Sequence, residues 1–193
     1  MRALIVLAAL GAAGVARAEV VHAGPERMVL RNVVEVAAPA DRVYAALGQP
    51  GRWWSKDHTW SGDAANLTLQ LQPGGCFCER LPGGGVEHLR VVMVRPGRLL
   101  RLSGALGPLQ GEGVSGAMSY ELTPRGAATE VVQTYTVRGF SEAEAKQWSA
   151  PVDGVLRNQL QRLERHLETG SPELSVPRPP PPRPASPPGS RTP

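Results

Sequence analysis

Cysteine, aromatic residues and long hydrophobic runs are all scarce in this sequence, and each scarcity closes a class of explanation. Two cysteines among 193 residues cannot supply a disulfide framework, so the fold must rest on its own core. They are also too few to ligate a metal by themselves, and no metal ion or other cofactor is expected. Aromatic residues make up 5% of the chain, which leaves the four tryptophans as conspicuous candidates for the wall of a pocket. The one long apolar run, residues 3–15, is shorter than the about 20 residues of a bilayer span, so stable membrane insertion is not expected. An excess of one charge is missing as well. The chain carries +4 overall, yet Arg2, Arg17, Arg178, Arg183 and Arg191 lie in the terminal segments against a single acid there, Glu173, so residues 19–170 balance to zero. A neutral domain has no electrostatic footprint for nucleic acid.

The two ends have their own signatures. Met1-Arg2, the apolar run and Ala16-Arg17-Ala18 have the layout of a cleaved secretory signal over residues 1–18, with the cut before Glu19. No cysteine follows Ala18 to take a lipid, and the expected location is periplasmic or secreted. Residues 171–193 include Pro177, Pro179, Pro180, Pro181, Pro182 and Pro184 with almost nothing apolar, the composition of a disordered tail. Between them, residues 19–170 are enough for one domain with a sizeable core.

Within that domain, residues 28–37 are rich in β-branched side chains and read as a first strand. Residues 39–47 read as a short helix with Pro39 near its first turn and Gly48 as a left-handed stop. A second helical turn carries Trp53 and Trp54. Further strands are predicted over residues 67–72, 76–80, 86–94, 98–103, 114–122 and 129–137, making seven, with Pro-Gly turns between them. Leu67, Leu69 and Leu71 alternate with polar residues at the two-residue period of a half-buried strand. Ser141 and Glu144 form a capping box for a last helix over residues 141–168. Its apolar stripe runs through Trp148, Val152, Val155, Leu156, Leu160, Leu163 and Leu167. Pro151 interrupts the stripe and should kink the helix or start a second segment.

This order of elements, with several local sequences, resembles the START/Bet v 1-like (SRPBCC) superfamily, in a branch similar to the C-terminal domain of the Hsp90 ATPase activator. The resemblance is carried by residues 36–47, Trp53-Trp54, Gly74-Gly75-Cys76-Phe77-Cys78-Glu79, residues 96–102, residues 119–124 and residues 163–170. It spans residues 28–170. It implies an α+β helix-grip fold: a seven-stranded curled antiparallel sheet around the long C-terminal helix, two short helices after the first strand, and an apolar cavity between sheet and helix.

No universal catalytic motif accompanies that resemblance, because the scaffold hosts carriers, cyclases and co-chaperone domains alike. The arrangement it implies puts Trp53 and Trp54 near the cavity mouth and Trp148 and Val152 on the helix side. Tyr120, Gln133 and Tyr135 would place polar groups among apolar strand neighbours, as a pocket that orients a ligand does. His88, in the parity of Val92 and Val94, is a candidate proton donor without an identified partner. Cys76 and Cys78 read as structural, buried or paired, although a bridge across one residue would be strained. The glycines of residues 111–116 spell a dinucleotide pattern, but they lead into a strand, where no helix N-terminus meets a phosphate. The expected function is an exported binding protein for a small hydrophobic molecule, lipid-like or aromatic. A cyclase-like or hydrolase-like enzyme using the same cavity is the alternative, and a co-chaperone-like interaction module with an unknown protein partner the third.

Overall fold

The computed structural model describes residues 17–24 and 27–174. Most of the expected leader and of the expected tail therefore lies outside the described residues. One antiparallel sheet of eight strands forms the body. These are β1 (Arg17–Gly24), β2 (Arg27–Val36), β3 (Leu67–Leu69), β4 (Cys76–Leu81), β5 (Gly84–Arg95), β6 (Leu99–Ser103), β7 (Ser115–Arg125) and β8 (Ala128–Arg138), in the spatial order β1-β2-β8-β7-β6-β5-β4-β3. The sheet curls, unclosed, about one long helix, α2 (Glu142–Thr169), while α1 (Ala40–Leu47) and the 3-10 turns Pro50–Arg52, Lys56–His58 and Ala64–Asn66 fill the crossover from β2 to β3.

Seven of the strands are the expected ones. The eighth, β1, straddles the expected cut, with Arg17 and Ala18 in the expected leader and residues 19–24 beyond it. It pairs with β2 through a bulge at Val21, and Val20 and Val21 stay 38% and 50% exposed. That exposure is why its pattern carries no alternating signal. A cut after Ala18 would remove only Arg17 and Ala18 from it.

The concave face is built by strict alternation. Met28, Leu30, Val34 and Val36 of β2, Leu100 and Leu102 of β6, Met118 and Leu122 of β7, and Val131 and Val137 of β8 are all buried. Against them α2 lays Leu156, Leu160 and Leu163, at most 1% exposed. Each such side chain contributes about 1.5–3 kcal/mol by leaving water.

The α2 helix opens with the expected capping box, Ser141 with Glu144, and ends at Gly170 in the left-handed conformation, φ 80°. It runs through Pro151 as one helix, so no second segment starts there. Proline removes one backbone bond and crowds the preceding turn, and the packing of Ala145 and Ser149 before it and Leu156 after it holds the helix together. Gly48 also differs from expectation. Its φ is −70°, an ordinary right-handed value, and what a side chain would meet is Leu71: a Cβ would come within 2.8 Å of its Cδ1, so the leucine would have to shift.

Candidate functional site

Where α2 approaches the far side of the sheet, its N-terminal half stands off and leaves a cavity of about 260 Å³, partly open to solvent. Trp148, Pro151, Val152, Val155 and Leu156 form the helix wall. Leu67 of β3, Phe77 of β4 and His88 of β5 form the sheet wall. Leu106 to Leu109, entering a 3-10 turn (Gly107–Glu112), make a third side, and Trp54 with the segment from Asp57 to Trp60 makes the fourth. Farther along α2, Leu160 and Leu163 pack into solid core, so the hollow is confined to the helix's first half.

The sheet wall owes its geometry to a bulge. Phe77 pairs with Leu89 and Cys78 with Glu87, which leaves His88 as the extra residue of β5. His88 and Leu89 are consequently both buried, whereas a second bulge turns Val92 and Met93 outward, 50% and 38% exposed. The simple parity that grouped His88 with Val92 does not survive these two irregularities.

At the bulge, His88 Nε2 lies 2.9 Å from Glu79 Oε2, with both residues at least 95% buried. Glu79 also accepts backbone N–H bonds from Trp60, at 3.1 Å, and from Ser61. Burial pushes the Glu79 carboxyl upward, but the bonds from Ser61, Trp60 and His88 outweigh it and hold the group below its ordinary range. Burial pulls the His88 imidazole below its usual value, and Glu79 restores only part of that. At neutral pH the pair is therefore a carboxylate and a neutral imidazole. Trp54 and Phe77 continue the aromatic wall, with centroids 5.4 Å apart, and Phe77 and His88 follow at 5.2 Å.

Polar contacts from outside the cavity fix its walls. Arg162 Nε donates to the Trp53 carbonyl at 2.8 Å, and Gln159 Oε1 accepts from Ser55 N–H at 2.8 Å, so α2 holds both ends of the segment bearing Trp54. The Tyr135 hydroxyl accepts from Leu106 N–H at 2.9 Å and donates to the Gly104 carbonyl at 3.2 Å, which pins the start of the third side.

Of the eight residues singled out from the sequence, Trp54, His88, Trp148 and Val152 come together on this cavity. The other four do not. Trp53 is 3% exposed, donates Nε1–H to the Ala46 carbonyl at 2.8 Å, and borders, with Tyr120, only a small void within the core. Gln133 donates to the Tyr120 hydroxyl at 3.0 Å and accepts from Asn32 at 3.4 Å, forming a buried ladder of directly opposed residues across β2, β8 and β7. Tyr135 is the anchor described above. Burial raises the Tyr120 and Tyr135 hydroxyls to about 12, with the bonds from Gln133 and Leu106 offsetting it in part. Neither gives up a proton at neutral pH.

Glu79 escaped the sequence reading, although its strand carried a signal: Phe77 and Glu79 share one face of β4 and Cys76 and Cys78 the other. The two cysteines form a disulfide on that outer face, with Cα atoms 5.3 Å apart. Cys76, Cys78 and Glu87 converge within 4.8 Å, but the bridge leaves no thiolate, and Glu87 is paired with Arg90.

A curled sheet gripping a C-terminal helix over an apolar hollow defines the START/Bet v 1-like class. Within it, the chain belongs to the polyketide cyclase/dehydrase and lipid transport family, whose model matches residues 27–168. No curated protein matches it. Among solved structures, a conserved protein of unknown function from Enterococcus faecalis aligns with TM-score 0.54 and 12% identity over 81% of this chain and 78% of its own. CalU16 from Micromonospora echinospora aligns with TM-score 0.51 and 20% identity, covering 83% and 85%. The Aha1 dimer from Colwellia psychrerythraea aligns with TM-score 0.50 and 18% identity, covering 74% and 97%. At these identities the likeness is one of fold.

Proposed function

We propose that this protein is an exported carrier or receptor for a small hydrophobic or amphipathic molecule, lipid-like or aromatic, held between the sheet and the first half of α2. The observation that carries the reading is the apolar hollow of about 260 Å³ beside Trp54, Phe77, Trp148 and Val152. It is close to the lower end of small-molecule pockets, about 300 Å³. The family, which includes lipid transport, supports it. Export rests on the leader-like first residues and on the Cys76–Cys78 bridge, which an oxidising compartment favours. Among the described residues no helix is long and apolar enough to cross a membrane.

The test is a titration of the purified protein with a panel of fatty acids, aromatic compounds and a hydrophobic dye. Saturable binding is expected, weakened about tenfold by Trp148→Ala, which removes apolar contact area from the helix wall. Failure of the whole panel to bind would sink the proposal.

One observation favours a second reading. His88 on the cavity wall and Glu79, which does not itself line the cavity, form a hydrogen-bonded acid–base couple of the kind that moves protons in cyclases and hydrolases. Turnover that His88→Asn abolishes while ligand affinity persists would select the enzyme.

A further inference from the structure

Phe77 is the residue of the sheet wall on which two irregularities converge. Across the ladder it faces the bulge of β5, so that His88 and Leu89 together oppose it. Along its own strand it stands between Cys76 and Cys78, whose bridge lies half-buried on the outer face, while the Phe77 side chain lines the cavity on the inner one. Two residues of an extended strand span about 6.4–6.8 Å, but the Cα atoms of Cys76 and Cys78 are 5.3 Å apart. Consecutive Cα atoms are fixed about 3.8 Å apart, so shortening the outer span by about 1 Å lifts the Cα between them inward by about 0.8 Å. The sharpened pleat carries Phe77 toward the hollow, where its ring meets that of Trp54 at a centroid distance of 5.4 Å.

We infer that the Cys76–Cys78 bridge sets the size selectivity of the cavity. Closed, it holds Phe77 forward against Trp54 and narrows the hollow; opened by a small dithiol, it lets β4 lengthen, Phe77 withdraw and a bulkier guest enter. This rests on the cavity being the ligand site. Cys76 and Cys78 are positioning residues, since neither lines the cavity. The opening is thiol–disulfide exchange. A thiolate of the reductant attacks one sulfur of the bridge and expels the other as a thiolate, and the reductant's second thiolate then attacks the mixed disulfide and frees the first sulfur. Two electrons pass to the protein, the two cysteines take up the two protons the dithiol gives up, and the reductant leaves as a cyclic disulfide. A ring closed over one intervening residue gains little from loop entropy, and its place on the outer face keeps it within reach of a reductant.

Nuclear Overhauser effects between the Phe77 and Trp54 rings of the full chain, with no guest added, read the movement directly. They should weaken when dithiothreitol opens the bridge. The double variant Cys76→Ser, Cys78→Ser should show the weaker set with or without the reductant. Fluorescence titrations with 1-aminonaphthalene and the one-ring-larger 1-aminoanthracene read the consequence. Reduction should shift the ratio of their dissociation constants about fourfold in favour of the larger probe, roughly the worth of one methylene of apolar contact. Unchanged Overhauser effects, or a ratio that reduction leaves alone, would overturn the inference and leave the cavity as a ligand site. If neither probe binds in either state while other members of the hydrophobic panel do, the inference fails alone; if nothing binds, it falls together with the reading on which it rests.

Discussion

The hydroxyl of Tyr135 sits between Leu106 N–H and the Gly104 carbonyl, so a buried residue of β8 fixes the loop that flanks the cavity. Tyr135→Phe removes one acceptor and one donor from that loop. It should cost about 1–3 kcal/mol, the penalty for unpaired groups at a buried site. Urea denaturation measures the loss, and faster hydrogen exchange at the Leu106 amide would locate it. An unchanged midpoint with unchanged exchange would show that the loop is held by other means.

Acid should destabilise the protein in two steps. His88 titrates below its ordinary 6.5 in the folded chain, so the unfolded chain binds the extra proton and stability falls as pH drops below about 6.5 toward the folded value. Glu79 titrates below its ordinary 4.5, so its contribution is present above 4.5 and is lost as pH falls through its folded value. Urea midpoints should stay level from pH 8 to about 6.5 and fall from there toward pH 4, and His88→Asn should flatten the upper part of that decline. A profile level from pH 7 to pH 5 would contradict the first step.

Filling the hollow should separate binding from folding. Val152 is half-buried on the helix wall, and Val152→Trp would place an indole in the open space at little cost to surrounding packing. Dye binding should disappear while the urea midpoint changes by less than about 1 kcal/mol equivalent. Retained binding would mean that ligands sit elsewhere.

The Cys76–Cys78 bridge closes a loop of one intervening residue. Loop-closure entropy for so short a ring gives only about 1–2 kcal/mol. The double replacement by serine should therefore fold, with that modest loss in denaturant. A collapse of folding would show that the bridge instead holds β4 in register opposite the His88 bulge.

The sheet and the long helix were legible because burial there follows simple periods: two along β8 from Thr129 to Val137, and three-to-four along α2 from Trp148 to Leu167. Half the candidate site was legible on the same grounds, since Trp54, Trp148 and Val152 are large or apolar side chains on elements whose faces could be inferred. Tyr120, Gln133 and Tyr135 do point inward, yet hydrogen bonding across neighbouring strands commits their polar ends to one another and to the backbone, and strand parity cannot foresee that. Glu79 was hidden for a different reason. Its partner is nine residues away across a hairpin whose register slips by one at His88, and no local pattern encodes such a slip. The edge strand β1 was missed because edge residues lack the inward-facing alternation by which strands are recognised.

Because the hollow lies along α2 only as far as Leu156, the helix divides its duties by position. Leu160 and Leu163 are sealed in the interior, where loss of side-chain volume would cost about 2–5 kcal/mol each. Trp148, Val152 and Val155 border the hollow and are only partly buried, although Trp148 and Val152 also pack against the core. Mutation there can therefore reshape what the protein accommodates, one helical turn at a time, at less cost to the fold than at Leu160 or Leu163. A lineage built on this scaffold would be expected to diversify first at those three positions.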